Sequence, residues 1–248
     1  MRISQAFATC IGLVTLSVTA MAQPAPTLLS VARVQVKPDR LGEFMDVEKQ
    51  YTAAYKKGGG TLRAFYRNSA GNPYEFLVIS AMPNYASLDG QSPYAKGVTE
   101  AELARMGARR SQCFESVRTT YERPLADLGF NPPGTPQPSK VTVARVTVRA
   151  DMVEQFMATV KNELVPGLKK GGQSSFLARR VEWGGSRNVF TFRSPMDKFS
   201  ELDGDSTLIK GLGRDGAAKL GAKLTSMTTG VEWIIYTYMP DLSLQAQP

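Results

Sequence analysis

The chain has 248 residues, 42% hydrophobic and 21% charged, and it contains no histidine. That absence removes the commonest general base, the Ser–His and Cys–His nucleophile pairs, and a haem held by a proximal histidine; with two cysteines it also argues against a zinc site. The formal charge of +8 is spread along the chain rather than gathered in a block, which favours a small anionic ligand over nucleic acid.

Arg2 opens a segment that is apolar or small from Phe7 to Val18 and closes on Ala20-Met21-Ala22. This is the pattern of a cleaved secretory signal over residues 1–22, and it predicts a periplasmic or secreted protein beginning at Gln23. The apolar stretch is too short for a membrane-spanning helix, and no later segment is long and apolar enough for one. Cys10 leaves with the signal, so Cys113 has no partner for an internal disulfide. Its place just before an apolar run predicts a buried, inert thiol.

Leu29 to Val36 is a β-branched run stopped by Pro38, hence a strand. Leu41, Phe44, Val47, Tyr51 and Tyr55 then recur at helical spacing, and Lys56-Lys57-Gly58-Gly59 supplies cations and a glycine cap at the helix end. Leu62–Arg67 and Tyr74–Ala81 read as two strands around a turn, Thr99 and Glu102 have capping-box spacing for a second helix, and Ser116–Glu122 is a last strand. Four prolines between Asn131 and Ser139 then mark a linker, semi-rigid and extended.

After the linker the pattern starts again. Val143-Ala144-Arg145-Val146-Thr147-Val148 repeats Val31-Ala32-Arg33-Val34-Gln35-Val36, Gln155-Phe156-Met157 repeats Glu43-Phe44-Met45, and Lys169-Lys170-Gly171-Gly172 repeats the earlier helix end. Asp151 and Glu154 have capping-box spacing, Phe176–Val181 and Val189–Ser194 are the hairpin strands, Ala217–Leu224 is helical, and Val231–Tyr238 closes the copy. The expected organisation is residues 23–130 as one domain, 131–139 as linker and 140–248 as a second domain with a short tail. Each copy reads β-α-β-β-α-β, with both helices on one sheet face and the other face in need of a partner. The fold class is α+β: two tandem ferredoxin-like units packed sheet to sheet as an intrachain pseudo-dimer.

The element order resembles that of the dimeric α/β-barrel superfamily, which includes antibiotic-biosynthesis monooxygenases, NIPSNAP-type proteins and haem-degrading monooxygenases. Tyr85-Ala86-Ser87 followed by Gln91-Ser92-Pro93-Tyr94-Ala95-Lys96 resembles a Ser-Pro-His-x-Lys stretch of that family, with Tyr94 where the histidine stands. The second copy has Leu208 there. The resemblance implies an α/β barrel; the haem-degrading branch is similar only in fold, since its histidine ligand has no counterpart in this sequence, and cofactor-independent oxygenation of an activated aromatic stands as an alternative to simple binding.

Strand parity places Ala32, Val34 and Val36 against the helices and turns Arg33 inward, with Arg145 likewise in the second copy. With first and last strands adjacent, as the resemblance implies, Arg145 meets Glu232 and Arg33 meets Arg118. The expectation is an anionic ligand held by the N-terminal copy and a neutralised C-terminal copy; the alternative is pairing of the arginines by Glu75 or Glu122, or snorkelling to water. Tyr66, Tyr94 and Tyr236 are candidate hydrogen-bond donors with core packing as the alternative, and Trp233 is assigned to the core. The predicted function is binding of a small anionic or aromatic ligand without a cofactor. A cofactor-independent monooxygenase or isomerase and a non-catalytic assembly protein are the other two readings. The expected partners are a small molecule and no nucleic acid or membrane span, in a monomeric pseudo-dimer or a homo-oligomer.

Overall fold

The structure is a computed structural model that describes residues Leu28–Leu244, so the signal-peptide reading lies outside the described residues. The first copy comprises β1 (Leu28–Val36), α1 (Leu41–Lys57), β2 (Arg63–Asn68), β3 (Glu75–Met82), α2 (Pro93–Gly97), α3 (Glu100–Gln112) and β4 (Phe114–Pro124). The second comprises β5 (Lys140–Val148), α4 (Val153–Thr159), α5 (Val165–Lys170), β6 (Leu177–Trp183), β7 (Val189–Met196), α6 (Thr207–Ser226) and β8 (Thr228–Tyr238). The strands form one closed antiparallel barrel in the order β1-β3-β2-β8-β5-β7-β6-β4. Each copy contributes four adjacent strands, and the last strand of each joins the second strand of the other: Tyr66 stands opposite Tyr238, and Glu122 opposite Val181. These two seams remove the free sheet edges and close the sheet on itself, which turns the bare face of each copy inward.

Alternation along the strands sorts the residues into layers. Leu29, Val31, Tyr66, Leu77 and Ile79 from the first copy and Val141, Val143, Ile234 and Tyr236 from the second fill the barrel interior as one cluster. Val34, Val36, Phe65, Phe76 and Val78 pack outward under α1, and Ala144, Val146, Phe190 and Phe192 do the same under α4 and α5. Beyond each seam the chain seals the other copy's core. Leu242 (0% exposed) enters the first copy's helix-side cluster, and Leu128 (2%) enters the second's.

The helices cross at glycines in both copies. A Cβ on Gly97 would lie 1.8 Å from the Ala54 carbonyl oxygen, and one on Gly211 would lie 2.0 Å from that of Gly167. Lys56-Lys57-Gly58-Gly59 and its repeat end their helices as expected, with φ of +85° at Gly59 and +86° at Gly172. Between α4 and α5 a single π-type turn, Val160–Leu164, absorbs one extra residue of the second copy without breaking the helix axis.

Three local expectations are corrected. The Thr99–Glu102 capping box is present, but Asp151 and Glu154 form none: Asp151 pairs with Arg149 at 3.0 Å, and Met152 is the residue before α4. The second copy's last helix begins at Thr207 rather than Ala217 and bends at Gly213, whose φ is +72°. Trp233 is 73% exposed rather than in the core. It lies on the helix-facing side as parity requires, opposite Ala144, but that part of β8 is left open among the described residues. Cys113 is buried, as expected, and burial raises its pKa.

Candidate functional site

Arg33 on β1 lies opposite Arg118 on β4, and Arg145 on β5 lies opposite Glu232 on β8; by alternation all four share the strand face of the interior cluster, Arg33 and Arg145 half-buried and Arg118 and Glu232 exposed. The pairing differs from the expected one. Arg33 Nη1 reaches across to Glu232 Oε2 of the other copy at 3.4 Å, with the arginine side chain 26% exposed and the glutamate 54%. The copies are related by a pseudo-twofold that exchanges Arg33 with Arg145 and Arg118 with Glu232. The same operation therefore maps the Arg33–Glu232 ion pair onto Arg145 and Arg118, two cations. Among the described residues neither Arg145 nor Arg118 has a carboxylate oxygen within 4 Å. Burial and the neighbouring Arg33 pull the Arg145 pKa below its ordinary value, Glu232 opposes this, and Arg118 adds to it. The uncompensated charge is thus shared across both copies instead of residing in the N-terminal one.

Neither carboxylate proposed to neutralise these arginines does so directly. Glu122 (5% exposed) sits 3.4 Å from Arg179 (6%) and accepts a hydrogen bond from Thr120 Oγ1 at 2.9 Å. Glu75 Oε1 accepts from the Tyr236 hydroxyl at 2.7 Å. Tyr66 is buried; its hydroxyl accepts from linker residue Gln137 at 3.0 Å, and the Arg193 guanidinium lies 5.7 Å over its ring. Tyr66 and Tyr236 thus line the packed interior behind the arginines.

Tyr94 is not brought to this place. It lies outside the barrel in the helix layer, packed on Tyr51 and Tyr55, and its hydroxyl accepts from Arg63 Nε at 3.1 Å. Here the structure holds a buried ionic network that the sequence reading missed. Glu48 (0% exposed) bonds Arg63 (1%) and accepts from Arg110 Nε at 2.5 Å. Arg63 also donates to Thr52 Oγ1 at 2.6 Å and to the Leu242 carbonyl at 3.2 Å, which fastens the C-terminal segment. Burial disfavours the charge on Arg63, but Glu48 and Tyr94 overcome it and raise its pKa. The corresponding residues of the second copy are Val160, Val165, Phe176, Leu208 and Leu224, one apolar cluster. A glutamate on the apolar stripe of α1, opposite a valine in the repeat, was the available signal.

Two phenols give a pH prediction. Burial, then the bond to Glu75, raises the Tyr236 pKa, and burial pushes Tyr55 up to about 12. Both hold their protons more tightly folded than unfolded, where the value is 10.0. Their contribution to stability is complete below pH 10 and is lost as pH rises beyond it. Absorbance at 295 nm and far-UV circular dichroism, followed together, should show these phenols ionising only as the fold is lost. Ionisation of all nine tyrosines near pH 10 with the fold intact would contradict this.

Among the described residues no helix is long and apolar enough to cross a membrane, and no group of three or more Cys, Asp or Glu side chains is placed to hold a metal ion. The chain matches no protein-family model and no curated protein. Solved structures do match it. A "putative monooxygenase" from Lactobacillus acidophilus NCFM superposes with a TM-score of 0.59 at 11% identity, over 88% of this chain and 96% of that one. A second protein of that description, from Fusobacterium nucleatum, gives 0.61 at 11% identity over 87% and 94%. An anthrone oxidase-like protein gives 0.57 at 10% identity over 86% and 91%. At such identities the likeness concerns architecture alone. By its fold this chain is a closed α/β barrel of two ferredoxin-like halves joined in one polypeptide, the architecture it shares with these structures.

Proposed function

We propose that the protein binds a small organic anion, an aromatic carboxylate or phenolate, between Arg145 and Arg118. The observation that carries this reading is the failed symmetry: where the pseudo-twofold would repeat the Arg33–Glu232 ion pair it places Arg145 and Arg118, two like charges with no carboxylate oxygen within 4 Å among the described residues. Guanidinium groups bind a carboxylate through paired, charge-assisted hydrogen bonds and also stack on flat rings. The interior behind them is filled, by the apolar cluster of Leu29 to Tyr236 and by the buried Arg179–Glu122 pair and Arg193, so the ligand sits at the mouth rather than deep in the barrel. The Arg118 guanidinium borders the β6–β7 turn, where a Cβ on Gly185 would stand 3.8 Å from Nη2; that turn is one wall of the mouth.

Calorimetric titration with 1-naphthoate and its neutral amide tests the reading. The acid should bind and the amide should not, and added salt should weaken the binding. Arg145→Ala should lower affinity by about tenfold or more, the loss expected for a charge-assisted bond. Lys169→Ala, in the last turn of a helix outside the barrel, should not change it. Equal affinity for acid and amide would contradict the proposal.

A second reading takes its support from the neighbours described as monooxygenases and as anthrone oxidase-like. The same two arginines would stabilise a phenolate or enolate that reacts with oxygen directly. Oxygen consumption on addition of anthrone, lost in Arg145→Ala, would favour it; binding without consumption would leave the binding function alone.

A further inference from the structure

The two seams of the barrel are equivalent by pseudo-symmetry but are finished differently. At each, an arginine is held in the same way. Arg67 Nε donates to the Pro73 carbonyl at 2.7 Å with its guanidinium over Phe76, and Arg180 Nε donates to the Arg187 carbonyl at 2.6 Å over Phe190. The β4–β6 seam is then closed by two ion pairs, Lys161–Asp127 at 2.9 Å and Arg123–Glu182 at 2.5 Å. Their counterparts at the β2–β8 seam are Lys49 with Asp241, and Thr237 with Ser69. The Ser69 and Thr237 hydroxyls bond one another at 2.6 Å and occupy far less space than an Arg–Glu pair. Among the described residues no oppositely charged side chain lies within 4 Å of Lys49, Arg67 or Asp241. What remains is an open cavity of about 530 Å³ lined by these three charged groups, with Met45 and Met239 among its apolar walls.

We infer that this cavity is a second binding site, built for a small zwitterion of the amino-acid type. The ligand carboxylate meets Lys49 and Arg67, its ammonium group meets Asp241, and its apolar side chain lies against Met45 and Met239. At the other seam Lys161 and Asp127 neutralise each other; here the ligand supplies both counter-charges. The volume falls within the range usual for small-molecule sites, and charged groups set among the apolar walls, here with Asn68, Ser69 and Thr237 beside them, are what fix a ligand's orientation there. The site shares no residue with the arginine mouth, so the two can be tested separately.

The test is ligand-observed NMR and calorimetry on the whole chain with L-phenylalanine, 3-phenylpropionate and phenethylamine. L-Phenylalanine should bind, and each singly charged analogue should bind about tenfold more weakly or worse, as loss of one charge-assisted contact requires. Lys49→Ala and Asp241→Ala should each weaken L-phenylalanine binding to a similar degree. Ser69→Glu with Thr237→Arg, which imports the other seam's ion pair, should abolish binding while circular dichroism shows the fold retained. No binding of L-phenylalanine at millimolar concentration would overturn the inference. So would equal binding of 3-phenylpropionate, or binding unchanged in the Ser69→Glu/Thr237→Arg variant.

Discussion

Glu48→Val alone is expected to lower the unfolding free energy by about 3–5 kcal/mol, because it leaves Arg63 buried without its counter-charge. That loss is a large fraction of the roughly 5–15 kcal/mol by which a domain is stable. The second copy suggests the compensated alternative. Glu48→Val combined with Thr52→Val, Arg63→Phe, Tyr94→Leu and Arg110→Leu transplants the residues that form one apolar cluster around Val160 and Phe176. This fivefold variant should recover most of the loss, to within about 1 kcal/mol of the parent or above it, since replacing a buried ion pair by well-packed apolar groups is often neutral or stabilising. Urea unfolding of the parent, Glu48→Val and the fivefold variant measures both effects. A fivefold variant no more stable than Glu48→Val would show that the first copy cannot adopt the second copy's packing.

Gly97→Ala is expected to cost about 3 kcal/mol or more, at the upper end for overpacking, because the clash is with backbone. The added methyl would lie 1.8 Å from the Ala54 carbonyl oxygen, and no side-chain rotation can relieve that contact. Helices α1 and α2 would have to separate, loosening the cluster of Val47, Tyr51, Ala54 and Met106 beneath them. Gly211→Ala should behave alike in the second copy, where the Gly167 oxygen is 2.0 Å away. Gly221→Ala is the contrasting case: it lies within α6 with nothing inside 4 Å of its added Cβ. It should stabilise by about 0.5–1 kcal/mol through helix propensity. Thermal unfolding of the three variants should place Gly97→Ala and Gly211→Ala well below the parent and Gly221→Ala above it.

The architecture was legible because the repeat fixed the unit and the unit's bare sheet face required a partner. Strand parity was enough to turn Arg33 and Arg145 inward, since a period of two leaves no freedom once one face is apolar. It was not enough to say what they meet. Parity gives the face of a residue but not the distance across a barrel, so Arg33 was matched to its strand neighbour Arg118 when its ion-pair partner is Glu232 on the far copy. Trp233 failed for a related reason: the face was right, and whether a helix covers it depends on packing that no local pattern encodes. Tyr94 carried a motif-like position yet belongs to the helix layer. The Glu48–Arg63–Arg110 network escaped because its members are far apart in sequence, from residue 48 to residue 110, and look ordinary one at a time. Only the repeat mismatch, Glu48 against Val160 and Arg63 against Phe176, marks them.

The proposed site depends on one broken symmetry, the two cations Arg145 and Arg118 where an ion pair would otherwise recur. Arg118→Glu restores the symmetric arrangement by giving Arg145 the carboxylate that Glu232 already gives Arg33. Calorimetric titration of this variant with 1-naphthoate is the most direct test. The predicted result is loss of binding by about a hundredfold or more, since one attraction is replaced by a repulsion, with the fold intact by circular dichroism. Unchanged affinity for 1-naphthoate in Arg118→Glu would contradict a site between Arg145 and Arg118 and place the anion elsewhere.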